Sequence, residues 1–270
     1  MQRARSPMGV PRARPRPLTL AMPPSPLDRL LVALAAPRPA LAMGAPRVLW
    51  AAAAALTVAW VAGPLGGVGR AKGGETALLF NWHPALMVAS IGLWTEAALQ
   101  FAAYGGGKRT HAAIHAMATT TATVGVTAAW LSHVLHAPPI PSLYTPHALL
   151  GALTLTSVYA QAALGAASFL WPGASPAARA SFAPAHRAAG KVALALTAAT
   201  AAAGFQEKAA VLLVERGVPP RSATIALPAG AALLLAGSVT AALLKLMGGG
   251  GGRDGPPPGF RPVPAADSPH

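Results

Sequence analysis

The sequence predicts an all-α protein that crosses a membrane six times, with its four central helices forming a bundle. The first observation is composition: 53% of the 270 residues are hydrophobic and only 10% are charged, whereas soluble domains carry about 25% charged residues. The second is a series of six apolar runs, each long enough to cross a bilayer. The third is the distribution of histidine, because seven of the eight histidines lie in or beside the four central runs.

The six apolar runs define a predicted membrane domain of residues 46–247, whose central part, about 77–206, is the expected core. Backbone groups inside lipid must satisfy one another, so each run is predicted to be a helix. Asn81 and Thr76 are available to cap the second of these helices. The runs cover residues 48–69, 77–103, 110–133, 146–171, 185–206 and 222–247.

Two polar segments flank this domain. Residues 1–45 are rich in arginine, proline and alanine, and we interpret them as a disordered basic tail or an organelle-targeting segment. Residues 248–270 begin with a run of glycine and are predicted to form a flexible tail. The net charge of +14 does not indicate nucleic-acid binding, because the arginines lie among prolines without aromatic platforms. Cysteine is absent from the sequence, which excludes disulfides and thiolate metal sites.

The charges of the loops predict the orientation in the membrane. Lys108 and Arg109 lie between the second and third runs, Arg179 lies between the fourth and fifth, and the N-terminal tail is strongly basic. With six spans these three segments lie on one side, which is therefore the cytosolic side or its organellar equivalent. Both termini are expected on that side of a multi-pass integral membrane protein, and the identity of the membrane is left open.

Four histidines each lie at the beginning of a central run: His83, His111, His147 and His186. Because successive spans are antiparallel, His83 and His147 are expected at the outer level and His111 and His186 at the inner level. Cofactor sites are commonly built inside helix bundles, and a pair of axial imidazoles is a haem-binding arrangement. The alternative is that the four histidines lie at the membrane interface, where they cap helices or contact headgroups. The occurrence of one histidine at the start of each of four consecutive helices is harder to explain in that way.

Glycine spacing and the scarcity of other ligands also favour a flat cofactor. Gly151 and Gly190 each follow a histidine by four residues, so they are predicted to share its helix face and clear space for a macrocycle. Close helix packing through small residues is the alternative. His111 and His115 have the spacing of zinc ligands but lack the glutamate of H-E-x-x-H, and His115 is interpreted as a neighbour of the site.

Several short segments occur in a specific order between about Phe80 and Lys208. They are "FNWHP", "KRTHAAIHAM", "SLYTPHALLG", "WPGASPAARASFAPAH" and "GFQEK". In order and spacing they resemble the cytochrome b561 family, six-span di-haem proteins that pass electrons across membranes, commonly from ascorbate. The resemblance implies that two haem b groups are held by the pairs His83–His147 and His111–His186.

The resemblance also implies roles for residues around the two pairs. His133 and Tyr144 correspond to positions at the outer mouth, where they would take part in proton-coupled delivery of electrons to the acceptor. Lys108, Arg109 and Arg179 correspond to a basic cluster that holds ascorbate on the inner side. The implied protein is an ascorbate-dependent transmembrane oxidoreductase whose acceptor is monodehydroascorbate or a ferric chelate. A homodimer in the bilayer is left open.

Two other functions are compatible with these residues. A transporter could use the histidines to carry transition-metal ions or protons, and it would be colourless when purified. A membrane scaffold that binds haem without ascorbate turnover would be coloured but would not be reduced by ascorbate.

Overall fold

A computed structural model of the protein describes residues 39–102, 107–171 and 173–248. Within these residues the regular structure is helical, apart from one isolated bridge between Lys72 and Glu75. The predicted all-α class is therefore confirmed. The predicted tails of residues 1–45 and 248–270 lie, except at their inner ends, outside the described residues. The helices are α1 (Pro39–Ala62), α2 (Ala77–Phe80), α3 (Trp82–Ala102), α4 (Lys108–Val134), α5 (Pro146–Phe169), α6 (Pro176–Glu215) and α7 (Ala223–Gly248).

Five segments of the described chain are long and apolar enough to cross a membrane, which confirms a multi-pass membrane protein. They are α1, the combined α2 and α3, α5, α6 and α7. Helix α4, the predicted third span, has 27 residues but is rich in threonine and begins with charged residues. The hydroxyls of Thr119, Thr121 and Thr123 each donate to a carbonyl one turn earlier, which makes these residues compatible with lipid. The total of six spans stays a prediction.

Helix α6 is much longer than the predicted fifth run of 185–206. It begins after Ser175, whose Oγ accepts a hydrogen bond from the Ala178 N–H at 3.3 Å, and Pro176 occupies the first helical turn. A proline in that position costs no hydrogen bond because the first N–H groups have no partner within the helix. The prediction that His186 lies at the start of its helix was therefore wrong, because α6 begins about three turns earlier.

Asn81 connects the loop of residues 63–76 to the beginning of α3. Its Nδ2 donates to the carbonyls of Leu65 at 3.0 Å and Gly67 at 2.7 Å. The Thr76 side chain makes no capping bond to α2. The predicted capping role of Asn81 and Thr76 was therefore wrong: the buried amide of Asn81 serves loop carbonyls that would otherwise lack donors.

The central bundle is built from two closely packed helix pairs. Helices α3 and α4 form one pair, α5 and α6 form the other, and α6 also packs against α7. Two tryptophans fasten α1 to this bundle: Trp50 Nε1 donates to the Val88 carbonyl and Trp60 Nε1 donates to the Thr224 carbonyl, both at 2.9 Å. The indole N–H groups thus find acceptors inside an apolar environment, as buried tryptophans usually require.

Replacing Gly92 with alanine is expected to loosen α1 from the bundle. A methyl group at Gly92 would overlap the Trp50 indole, and the ring cannot swing away without losing its bond to Val88. Overpacking of this kind costs about 1–3 kcal/mol, so we expect a lower thermal midpoint in detergent, measured by tryptophan fluorescence. The control is Gly44→Ala in α1, where an added methyl group meets no atom within 4 Å. Equal midpoints for the two variants would refute this role of Gly92.

Candidate functional site

We name the two ends of the bundle, the outer end and the inner end, after their predicted orientation. The outer end brings His83 and His147 together. Their ring centroids lie 6.1 Å apart and the rings are inclined by 73°. His83 Nδ1 is 3.1 Å from the Gly125 carbonyl on α4, and His147 Nδ1 is 3.0 Å from the Thr200 carbonyl on α6. The two imidazoles therefore face each other from alternate helices, α3 and α5, and each is oriented by a neighbouring helix.

The inner end of the bundle contains His111 and His186. His111 Nδ1 is 2.7 Å from the Ala97 carbonyl on α3. The His186 ring contacts two aromatic rings, with centroid distances of 5.4 Å to Phe169 and 6.0 Å to Phe182. Lys108, which precedes His111 on α4 by one turn, donates to the Phe169 carbonyl, and the Phe169 ring packs against His186. The pairing of His111 with His186 stays a prediction.

The carbonyl contacts determine which nitrogen of three imidazoles carries a proton. A carbonyl oxygen can only accept a hydrogen bond, so His83, His111 and His147 must each donate from Nδ1. In this tautomer Nε2 carries the lone pair, and it is the ring nitrogen through which a neutral imidazole can bind a metal. Donation from the remote nitrogen to a carbonyl is the usual arrangement for a metal-ligating histidine, and it raises the basicity of the ligand.

The acceptor carbonyls follow a regular register. Each lies 14 residues after a histidine on its own helix: Ala97 after His83, Gly125 after His111, and Thr200 after His186. Fourteen residues correspond to about 21 Å of helix, so α3, α4 and α6 each carry a histidine of one pair and, at that distance, the carbonyl that orients a histidine of the other pair. Residue 161 occupies the fourth equivalent position on α5. There the Gln161 Nε2 donates to the His186 carbonyl at 3.4 Å, while His186 Nδ1 is buried and has no partner in the described residues.

Two glycines leave space for histidine rings across the α5–α6 interface. A methyl group added to Gly204 on α6 would lie 2.6 Å from His147 Cε1, and one added to Gly165 on α5 would lie 3.0 Å from His186 Cε1. Both glycines lie within alanine-rich helices, where glycine is unfavourable by about 1 kcal/mol relative to alanine. That local cost was the signal in the sequence that could have identified them.

The two glycines chosen from sequence spacing do not touch the histidine rings. A methyl group at Gly151 would make an ordinary contact with Thr200 Cγ2 at 3.7 Å, and one at Gly190 would meet no atom within 4 Å. The close approaches to the histidine rings occur between helices, at Gly165 and Gly204, and the role of Gly151 and Gly190 in clearing space for a macrocycle stays a prediction. The open space at Gly190 is compatible with the predicted macrocycle.

The basic residues of the inner end lie around the connection between α5 and α6. Lys108 Nζ donates to the Phe169 carbonyl at 3.1 Å, at the C-terminal end of α5, and Arg179 Nη1 donates to the Ala174 carbonyl at 3.0 Å. Arg109 is exposed beside Lys108. The carbonyls that accept from Lys108 and Arg179 thus belong to Phe169 and Ala174, five residues apart in the chain. The Phe169 ring also packs against His186.

The outer end carries His133 in the last turn of α4 and Tyr144 on the connection between α4 and α5. His133 Nδ1 lies 3.3 Å from Ser142 Oγ on that connection. Tyr144 is 64% exposed, and it lies three residues before His147.

The donor set fits haem better than a small metal site. Within residues 39–102, 107–171 and 173–248, no group of three or more histidine, cysteine, aspartate or glutamate side chains could hold a metal ion. A bis-imidazole haem requires only two nitrogens from the protein, because the porphyrin supplies the others. The rings of His111 and His115 have centroids 6.0 Å apart, and His115 Nδ1 lies 3.3 Å from Thr119 Oγ1. Because both rings project from one face of α4, they cannot hold a haem between them.

Comparison with known proteins identifies the family. The family profile described as eukaryotic cytochrome b561 matches residues 82–212. A probable ascorbate-specific transmembrane electron transporter of Oryza sativa is 32% identical over 163 residues, which cover 58% of this chain and 68% of the rice protein. The chain belongs to the cytochrome b561 family. The resemblance inferred from short motifs is therefore confirmed.

Two mammalian members of the cytochrome b561 family are also similar. A lysosomal membrane ascorbate-dependent ferrireductase of Rattus norvegicus is 38% identical over 141 residues, covering 49% of this chain and 54% of the rat protein. A transmembrane ascorbate-dependent reductase of Ovis aries is 34% identical over 169 residues, covering 60% of this chain and 64% of the sheep protein. The chain thus matches between about half and two thirds of the length of these relatives.

Membership of the cytochrome b561 family implies binding of haem b in an integral membrane protein. The matched residues, 82–212, include all four histidines of the two pairs. Their assignment as ligands, the number of haem groups and the roles of the surrounding residues belong to the proposal below.

Proposed function

We propose that this protein is a transmembrane oxidoreductase that transfers electrons from ascorbate on the cytosolic side to an acceptor on the opposite side. The acceptor is monodehydroascorbate or a ferric chelate. The observation that supports the proposal is that histidines lie at two levels of one helix bundle and that three of the four imidazoles contact a main-chain carbonyl through Nδ1. The names of the relatives, which are ascorbate-dependent reductases and an ascorbate-specific electron transporter, support the same function.

In this proposal, His83 and His147 hold the outer haem b, and His111 and His186 hold the inner one. Two haem b groups bound in this way supply reversible one-electron chemistry at both faces of the bilayer. The protein contributes orientation: main-chain carbonyls keep three of the imidazoles in one tautomer, and Gly165 and Gly204 let two rings lie against neighbouring helices. On α3, α4 and α6 the histidine and the carbonyl that orients a histidine of the other pair lie about 21 Å apart. Both haem sites therefore fit within one bilayer.

The inner basic cluster binds ascorbate in this proposal. Ascorbate is an anion at neutral pH, and a cationic patch raises its local concentration. The Lys108 ammonium has three N–H donors and uses one on the Phe169 carbonyl, so two remain for the oxygens of the substrate. Arg109 and Arg179 add charge beside the segment that covers His186.

The outer mouth receives the acceptor, and His133 and Tyr144 are the residues placed to move a proton there. The exposed hydroxyl of Tyr144 can donate a hydrogen bond to an incoming oxygen ligand, and it can also anchor the loop at the interface. His133 is oriented by Ser142, and the remaining ring nitrogen of His133 is available for proton exchange with solvent or acceptor.

The visible spectrum of the detergent-purified protein, before and after addition of ascorbate, tests the function. We expect a red protein whose reduced α band develops on mixing. A colourless protein would instead indicate the histidine-lined transporter. A coloured protein that ascorbate fails to reduce in a stopped-flow experiment would indicate the haem-binding scaffold.

Lys108→Met is expected to raise the KM for ascorbate by about three- to tenfold, the effect of removing one partly solvated charge pair. The maximal reduction rate should change little, because Lys108 does not contact the histidines. Initial rates over a range of ascorbate concentrations separate the two parameters. Lys245→Met is the matched control, since Lys245 lies in the last turn of α7 on the same side and loses the same charge. If both variants shift KM equally, specific binding by Lys108 is excluded.

A further inference from the structure

The segment "GFQEK" carries a lysine that the proposed mechanism does not use. Lys208 Nζ lies 4.7 Å from the centroid of the Phe80 ring, and that ring lies 5.7 Å from the ring of His83. Lys208 also follows Gly204 by one helical turn on the same face of α6, and Gly204 makes room for the ring of His147. The Phe80 ring therefore lies between Lys208 and His83, and Lys208 lies one turn after the glycine that accommodates the ring of His147.

The ammonium of Lys208 has no anionic partner among the described residues. The ion pair found there joins Arg47 to Glu96, and no carboxylate or carbonyl of residues 39–102, 107–171 or 173–248 accepts a hydrogen bond from Lys208 Nζ. The Glu215 carboxylate attracts the Lys208 ammonium and the Arg216 guanidinium repels it, so their effects oppose each other. Lys208 is only partly exposed.

When the partner of a partly buried ammonium is an aromatic ring, the ring does not fully replace the lost hydration of the positive charge. Contact with the face of an aromatic ring attracts a cation, but less strongly than a carboxylate in a hydrogen-bonded pair. Removal of an ammonium from water is costly unless an anion or several acceptors replace the water. The arrangement is therefore that of a cationic site completed by a bound anion, with Phe80 holding the lysine chain in place.

We propose that Lys208 binds a carboxylate at the outer end of the bundle, beside His83 and His147. This inference rests on the proposed function, and two sources of carboxylate fit it. One is a propionate of the haem held by the outer pair, and the other is the anionic acceptor that collects electrons there. Both would accept hydrogen bonds from the three ammonium protons of Lys208.

The test compares Lys208→Met, which removes the charge at nearly constant volume, with Lys208→Arg, which keeps the charge. Lys72→Met is the matched control, because Lys72 is an exposed residue of the loop 63–76 on the same side. For each full-length protein, haem content and the midpoint potentials of the bound haem are measured spectroscopically. Steady-state KM values are measured for ferric citrate, an anion, and for hexaammineruthenium(III), a cation.

A propionate partner predicts that Lys208→Met lowers the haem content or shifts one midpoint potential, and that Lys208→Arg restores it. An acceptor partner predicts unchanged haem content and potentials, with the KM for ferric citrate raised about three- to tenfold and no rise for hexaammineruthenium(III). If Lys208→Met matches Lys72→Met in every measurement, the Lys208 site is refuted while the proposed function stands. If the wild-type protein holds no haem, the proposed function itself fails.

Discussion

Replacing His111 and His186 together with alanine is expected to remove the inner haem and to leave the outer one. The haem content should fall from about two per chain to about one, because each site depends on its own pair of imidazoles. The complementary double variant, His83→Ala with His147→Ala, should retain the inner haem instead. Pyridine haemochrome analysis gives the haem content, and redox titration should resolve one midpoint potential in each double variant.

The two sites are expected to be separable because no imidazole is shared between them. The ring centroids of His83 and His147 lie 6.1 Å apart, while His111 and His186 lie about four helical turns away along the same bundle. Retention of full haem content in the His111 and His186 double variant would show that the inner assignment is wrong.

The control for these variants is His136→Ala. His136 lies on the outer connection, where its Nδ1 contacts the Pro138 carbonyl at 2.8 Å, and it belongs to neither pair. This substitution removes an imidazole without touching a proposed ligand, so the haem content should stay at the wild-type value.

Replacing Gly204 with leucine is expected to weaken the outer haem site selectively. Even a methyl group at this position would lie 2.6 Å from His147 Cε1, and a larger side chain would fill the space occupied by the ring. His147 would then lose the Thr200 carbonyl as its acceptor. Because overpacking costs about 1–3 kcal/mol, we expect outer-site haem affinity to fall by at least about fivefold, measured by haem titration of the apoprotein.

Gly165→Leu is the counterpart and should weaken the inner site, because a methyl group there would lie 3.0 Å from His186 Cε1. Gly190→Ala distinguishes two explanations of which glycines matter for haem binding. One is contact with a histidine ring across helices, and the other is a position four residues after a histidine on the same helix. An added methyl group at Gly190 meets no protein atom within 4 Å, so haem loss in this variant without loss in Gly204→Leu would favour the spacing argument.

The sequence alone determined the class of protein and the pairing of the histidines. Low charge and repeated apolar runs are properties of composition, so they identify a helical membrane protein without coordinates. The alternation of antiparallel helices assigned His83 to His147 and His111 to His186, because the direction of each span reverses that of the one before it. The structure brings the rings of His83 and His147 to 6.1 Å from each other, whereas the pairing of His111 with His186 stays a prediction.

Helix ends were less accessible to sequence reasoning. Proline and glycine between residues 171 and 184 indicated a break, yet α6 begins at Pro176 and continues through Pro184. Proline breaks a helix only where the lost hydrogen bond and the ring clash are not compensated, and that compensation comes from neighbouring structure. The interpretation of Asn81 as a cap also failed because its partners depend on neighbouring structure. The carbonyls of Leu65 and Gly67 come close to Asn81 only when the loop folds back.

Only the tertiary structure decided what orients the imidazoles and what surrounds them. The acceptors of His83, His111 and His147 are main-chain carbonyls, which every residue possesses, so no residue type marks them in the sequence. The roles of Gly165, Gly204 and Lys208 depend on the register between helices, which arises from the packing of whole helix faces. Composition and order thus identified the helices and the candidate histidines, whereas contacts between helices, which no local pattern encodes, determined the geometry around each imidazole.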